Sequence, residues 1–220
     1  MNMKAVIFDM DGVMLNNNPW HLEAWLEYAR FRNIPLRREE AEDRVFGRTN
    51  REIILEAFPE TPEATIRSWS QEKEALYRKL YLPDFTLAAG LESLLHFLRS
   101  GGFKLAVASN APRENVDFAL DTGGIRSFFD AVLFEGMANR PKPFPDIYLL
   151  AASMLGFNPE ECLVIEDSPA GIKAGVSAGC RVVGITSTFS RVKLQSLTAE
   201  VVDSLTELPS IINPETKPVG

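Results

Sequence analysis

Two aspartates two residues apart, in Asp9-Met10-Asp11-Gly12, follow directly on an apolar run at residues 5–8. They are the first side chains along the chain whose types and spacing point to chemistry. Carboxylates this close repel each other, and a hard divalent cation that favours oxygen ligands, such as Mg2+, relieves the repulsion. Gly12 allows the tight turn that such a pair requires. The same four residues could equally cap a turn. A calcium loop does not fit, because with Asp9 and Asp11 at loop positions three and five, Ile7 falls at position one and Asn18 at position twelve.

Three further groups extend the pattern. Ser109-Asn110 ends the run at residues 105–108, Arg140-Pro141-Lys142-Pro143 follows the run at 131–134, and Glu166-Asp167-Ser168 ends the run at 163–165. Taken singly, each has a plain reading: a helix cap, a solvated loop charge, an acidic helix start. Taken together they supply a hydroxyl, a lysine and two acids, and each lies at or just beyond the carboxyl end of an expected strand, where ligands bind in open α/β sheets.

The elements that must hold these groups follow from the hydrophobic pattern. The runs at 5–8, 105–108, 131–134, 163–165 and 182–185 are continuously apolar, as strands covered on both faces are. Helical spacing separates them: Leu91, Leu94, Leu95 and Leu98 share a face and stop at Gly101-Gly102, and residues 145–155 repeat the plan up to Gly156. This alternation predicts a doubly wound, Rossmann-like, mainly parallel α/β sheet. Residues 18–82 break it, with helix after helix and no strand. Asn18-Pro19 reads as an N-cap and helix-starting proline, after which Trp20, Ala24, Trp25, Tyr28 and Ala29 share a face. Thr61-Pro62-Glu63 starts a second helix, with Ile66, Trp69, Lys73, Leu76, Tyr77 and Leu80 in register. The expected organisation is an α/β catalytic core over residues 1–16 and 83–220, with a helical cap inserted over 17–82 and acting as a lid.

Composition bounds the function. In 220 residues with a formal net charge of −7, a broad nucleic-acid-binding face is not expected, since phosphate backbones are held by clustered Lys and Arg. A small anionic substrate remains compatible, needing only local positive charge in a cleft. No run is long enough to cross a bilayer, the N-terminus lacks the apolar stretch of a secretory signal, and Cys162 and Cys180 do not form a metal-type pair. The expectation is a cytoplasmic monomer with reduced, semi-buried thiols, acting on a small phosphorylated metabolite without nucleic acid or membrane. The tail at 213–220 is expected to be loosely ordered.

With all four groups in order, the sequence resembles the haloacid dehalogenase superfamily, in the branch that holds β-phosphoglucomutase and small phosphatases with a helical cap; the likeness spans nearly the whole chain. The resemblance implies that Asp9 is the covalent nucleophile and Asp11 the general acid and base. It implies that Asp9, the Asp11 backbone carbonyl, Glu166 and Asp167 hold Mg2+, and that Ser109, Asn110 and Lys142 bind the phosphoryl oxygens. Dehalogenases of the superfamily do not use the second aspartate, so Asp11 directs the expectation to phosphoryl transfer.

The resemblance reaches the cap less fully. His21, one turn before Trp25, matches the His-x-x-x-Trp of the mutases. Gly47-Arg48-Thr49-Asn50 resembles the substrate-specificity loop, and Lys73 is a further candidate for substrate contact. Mutases carry a basic residue where this chain has Asn50, and Asn16-Asn17 replaces their Asp followed by Ser or Thr. The leading expectation is therefore a Mg2+-dependent phosphatase acting on a small phosphomonoester, plausibly a sugar phosphate. A β-phosphoglucomutase is the alternative, and a non-catalytic phospho-accepting module ranks last, since such modules lack a helical insert after the first strand.

Overall fold

The computed structural model describes residues 3–212, so the expectation for the tail at 213–220 lies outside the described residues. The chain divides into two compact units, one made of the residues up to Asn16 and from Thr86 onward, the other Asn17–Phe85.

The first unit is built on a parallel sheet of β1 (Ala5–Phe8), β2 (Lys104–Ala108), β3 (Ala131–Leu133), β4 (Cys162–Glu166), β5 (Arg181–Ile185) and β6 (Glu200–Val202). The spatial order is β3-β2-β1-β4-β5-β6 and every neighbouring pair is parallel, the doubly wound arrangement expected from the apolar runs. All four residues of β1 are inaccessible to solvent, which is why that strand reads as unbroken hydrophobicity. β6 was not expected: only Val202 of its three residues is buried, so it carries no apolar run.

The second unit supplies the first four helices of the chain, α1 (Asn18–Arg32), α2 (Arg38–Val45), α3 (Asn50–Ala57) and α4 (Glu63–Tyr81). Its core gathers Leu22, Trp25, Leu26, Ala29, Ile34, Val45, Ile53, Ile54 and Ile66. The N-cap of α1 is Asn17 rather than Asn18, and its side chain makes no capping bond. It is buried and donates to the Tyr77 hydroxyl at 2.6 Å, so a tertiary contact takes the group that local capping would have used.

In the first unit the remaining helices are α5 (Leu91–Ser100), α6 (Arg113–Thr122), α7 (Asp146–Leu155), α8 (Pro169–Ala178), α9 (Arg191–Gln195) and α10 (Leu208–Ile212). A core of Ile7, Ala106, Leu133, Tyr148, Ala151, Val164, Ile172 and Val182 joins α7 and α8 to the sheet. Sequence order reverses between β1 and β4, the switch point at which such sheets open a crevice at their carboxyl edge. No helix among the described residues is long and apolar enough to cross a membrane.

Candidate active site

Register brings the first acids together. Phe8 pairs with Ile165, and the Asp9 amide donates to the Ile165 carbonyl at 3.0 Å, so Asp9 and Glu166 leave adjacent strands side by side. Asp167 follows as the chain turns into α8. One carboxylate oxygen from each of Asp9, Glu166 and Asp167 lies within 4.8 Å of the others, and all three residues are buried.

Lys142 is the cation among them. Its ammonium donates to Asp9 Oδ1 at 2.6 Å, Glu166 Oε1 at 2.7 Å and the Ala108 carbonyl at 2.9 Å, which matches its three N–H groups. Both Glu166 oxygens are held in place. Oε1 also accepts from the Tyr148 hydroxyl at 2.8 Å, and Oε2 accepts from the Ser168 amide and hydroxyl, each at 3.0 Å. Asp167 Oδ2 accepts from the Thr188 hydroxyl.

Two glycines make room for these acids. At Gly12, where φ is +76°, a Cβ would overlap the Asp167 carboxylate, and at Gly171, inside α8, it would fall within the Glu166 carboxylate. The turn after β1 and the first turn of α8 therefore close on the acids as only glycine permits.

Three buried carboxylates against one ammonium leave an excess of negative charge. Burial raises the Asp9 pKa to about 7, with Glu166 and Asp11 adding to the rise and Lys142 opposing it. Burial also lifts Asp167 well above the usual carboxylate range, reinforced by Glu166 and Asp9. Burial works against the Lys142 ammonium as well, but Asp9 and Glu166 outweigh it and hold its pKa above that of a free lysine. The cluster thus keeps its one cation charged while its acids lack enough counter-charge. A divalent cation with oxygen ligands fits both the donor set and the charge deficit.

Ser109 and Asn110 flank Lys142. The buried Ser109 hydroxyl accepts from the Ala111 amide at 3.0 Å, which leaves its own hydrogen to donate. Asn110 Oδ1 accepts from the Lys142 amide at 3.2 Å and so fixes the lysine backbone. Asp11, half-buried, follows Asp9 on the turn closed by a bridge to Leu15. The core residues singled out in the sequence thus gather at the carboxyl edge of the sheet.

In the helical unit, the cap residues fall into two sets. Lys73, buried in α4, lies 3.0 Å from His21 Nδ1 and donates to Glu74 Oε1 at 2.9 Å, and Asn50 Nδ2 donates to the same oxygen at 2.7 Å. Gly47, Arg48 and Thr49 shape the entry to α3. Gly47 takes a φ of +75°, Thr49 and Glu52 form a reciprocal capping box, and Arg48 pairs with Glu56.

Residues 3–179 match the family model for haloacid dehalogenase-like hydrolases. The chain belongs to that family. Among the relatives of this hydrolase, a phosphorylated carbohydrates phosphatase of Thermotoga maritima is 31% identical over 194 residues, covering 86% of this chain and 88% of its own. A β-phosphoglucomutase of Bacillus subtilis is 35% identical over 192 residues, covering 83% of each. The crystal structure of a family IA hydrolase from Entamoeba histolytica superposes with a TM-score of 0.88 at 28% identity, over 96% of this chain and 98% of that one.

Sequence reasoning missed Tyr148, Thr188, Gly171 and Glu74. Gly171 had a signal, since a glycine inside a helix costs about 1 kcal/mol relative to alanine and asks for a reason. The other three act through contacts between residues distant in sequence or on different helices, which spacing along the chain does not reveal.

Proposed function

We propose that this hydrolase is a Mg2+-dependent phosphatase that frees inorganic phosphate from a small phosphomonoester, a sugar phosphate, by way of a phosphorylated Asp9. The observation that carries the reading is Asp9 itself, held at the end of β1 by Lys142 beside Glu166 and Asp167, with a second acid two residues on. Likeness to a phosphatase of phosphorylated carbohydrates supports the substrate class.

In the first half-reaction a carboxylate oxygen of Asp9 forms a bond to phosphorus as the bond from phosphorus to the leaving oxygen breaks, and Asp11, entering protonated, gives its proton to that oxygen. In the second half-reaction Asp11, now a carboxylate, takes a proton from water as the water oxygen bonds to the same phosphorus. Phosphate leaves and the Asp9 carboxylate returns. Ser109 donates to the phosphoryl oxygens, Asn110 completes the set, and the charge of Lys142 beside them offsets the negative charge that spreads over them. Asp9, the Asp11 carbonyl, Glu166 and Asp167 would hold Mg2+, which when bound supplies positive charge to the phosphoryl group and to the crowded acids.

Asp9→Asn should abolish phosphate release from a panel of phosphomonoesters supplied with Mg2+, and Asp11→Asn should lower it by roughly 10²–10⁴-fold. An Asp9→Asn variant that keeps most of its activity would overturn the nucleophile. The similarity to a mutase and the His21-x-x-x-Trp25 spacing favour one second reading, transfer of the same phosphoryl group to a sugar hydroxyl. Incubation with β-glucose 1-phosphate separates the two, since glucose 6-phosphate marks the mutase and free phosphate the phosphatase.

A further inference from the structure

The two acids at the end of β4 are held by different parts of the fold. Glu166 has the Lys142 ammonium and the Tyr148 hydroxyl on one oxygen, and the Ser168 amide and hydroxyl on the other. Asp167, 4% exposed, is held from beyond β5, where the Thr188 hydroxyl donates to its Oδ2. The terminal torsion of an aspartate is broad and roughly two-fold, so a buried aspartate needs a partner to set which way its oxygens point. Thr188 is such a partner. At Gly12 a Cβ would overlap the Asp167 carboxylate and stand 2.7 Å from the Thr188 hydroxyl oxygen, so the turn after β1 closes on the same contact.

The segment that presents Thr188 is braced on both sides. Residues 186–190 join β5 to α9. Before Thr188, the Thr186 amide donates to the Val202 carbonyl at 3.0 Å and the Thr186 hydroxyl donates to Asp203 Oδ1 at 2.6 Å. After it, Phe189 packs on the core that joins α7 and α8 to the sheet. Arg191 then donates to the Val201 carbonyl at 2.6 Å and pairs with Asp203 at 2.8 Å. Asp203 thus ties the two ends of the segment together beside β6. A hydroxyl held in place by its own backbone loses little further freedom when it bonds a carboxylate. The short edge strand thereby reaches the site through Thr188.

We propose that Thr188 is a positioning residue, whose hydroxyl sets the orientation of Asp167 and through it the affinity of the core for Mg2+. Thr188 acts on Asp167 and not on the phosphoryl group. Hydrogen-bond partners of this kind, one step removed from a metal, typically carry about 10–100-fold of its affinity. The assignment rests on the phosphatase reading for its metal and deepens that reading by tying Mg2+ binding to the β5–α9 segment.

The test titrates Mg2+ against the full chain without substrate, taking the concentration at the half-point of the rise in melting temperature, and measures phosphate release from phosphomonoesters beside it. Thr188→Val removes the hydroxyl and keeps the branched shape, and should raise the Mg2+ requirement by about 10–100-fold in both measurements. At saturating Mg2+ its kcat should change little. Thr188→Ser keeps the hydroxyl and should bind Mg2+ as the unaltered chain does. Thr188→Ala removes the hydroxyl without setting a methyl group against the carboxylate and should match the valine variant, so a folding defect in the latter does not decide the matter. The proposal is overturned if a folded valine or alanine variant binds Mg2+ like the unaltered chain, or if the serine variant loses as much affinity as the alanine one. A chain that binds Mg2+ in this hydroxyl-dependent way and frees phosphate from no monoester overturns the phosphatase reading alone. A chain whose melting does not respond to Mg2+ overturns both.

Discussion

Among the residues, Tyr148 turns a buried carboxylate into a fixed one. Its hydroxyl and the Lys142 ammonium share Glu166 Oε1, and its ring lies 4.8 Å below that ammonium. Burial, followed by the charges of Glu166 and Asp9, pushes the phenol well above its usual pKa, so it stays a donor. Tyr148→Phe keeps the ring and removes the donor, leaving a fully buried carboxylate one bond short at a cost of about 1–3 kcal/mol. The expected outcome is a lower urea midpoint together with a fall of about tenfold in kcat for phosphate release, with KM little changed, because Glu166 aims Lys142. Wild-type values for both the midpoint and kcat would remove Tyr148 from the site. The contrast with Asp9, Lys142 and Asp167 is instructive. Asp9 and Asp167 were legible because each sits where an apolar run ends, a position the sequence displays, and Lys142 because it lies in the loop that follows such a run. Tyr148 sits inside the helical pattern of α7, where an aromatic residue reads as core, and only its partner across the fold gives it another meaning.

At the level of elements, α8 offers a test by reversal of sign. Alanine for glycine inside a helix ordinarily stabilises by about 1 kcal/mol. In Gly171→Ala the new Cβ would occupy the volume of the Glu166 carboxylate, so the substitution should instead destabilise the chain and suppress phosphate release. A Gly171→Ala variant with a raised melting temperature and full activity would show that α8 does not pack on Glu166 in this way. Helix α4 offers a second test, through pH. The Glu74 carboxyl is held down to about 2 from an ordinary value of 4.5, so its contribution is complete above 4.5 and is lost as pH falls toward 2. That contribution is on the order of 3 kcal/mol. The gap in urea stability between the unaltered chain and Glu74→Gln should therefore be widest near neutrality, narrow below about pH 4.5 and close toward pH 2, and a gap independent of pH would argue against the buried pair of Lys73 and Glu74. The elements that the sequence reading missed or displaced were the ones with the weakest local signal. β6 buries a single residue, and the N-cap of α1 moved to Asn17, whose side chain is drawn away to Tyr77.

For the whole molecule, the acids of the site join local chemistry to global stability. A chain with a formal net charge of −7 gathers Asp9, Glu166 and Asp167 in its interior around one ammonium, with Asp11 close by. Such crowding is unfavourable in the folded state and is relieved when the unfolded chain disperses the charges, so the proposed metal site and the fold are thermodynamically linked. Mg2+ bound to the folded chain alone stabilises it by mass action, by about 2.7 kcal/mol when its concentration is a hundred times the dissociation constant. For a chain of this size that is a rise of roughly 5–11 °C in melting temperature, at roughly 2–4 °C per kcal/mol. Chelation should reverse the rise without any substrate present. Asp167→Asn should raise the melting temperature of the metal-free chain, because it removes one of the crowded charges, and should flatten the response to Mg2+, because it removes a ligand. These two effects run in opposite directions for one substitution, which a merely structural aspartate could not produce. A metal-free Asp167→Asn chain that melts lower than the unaltered one, and still gains the full increment from Mg2+, would place the ion somewhere other than at the carboxyl ends of β1 and β4.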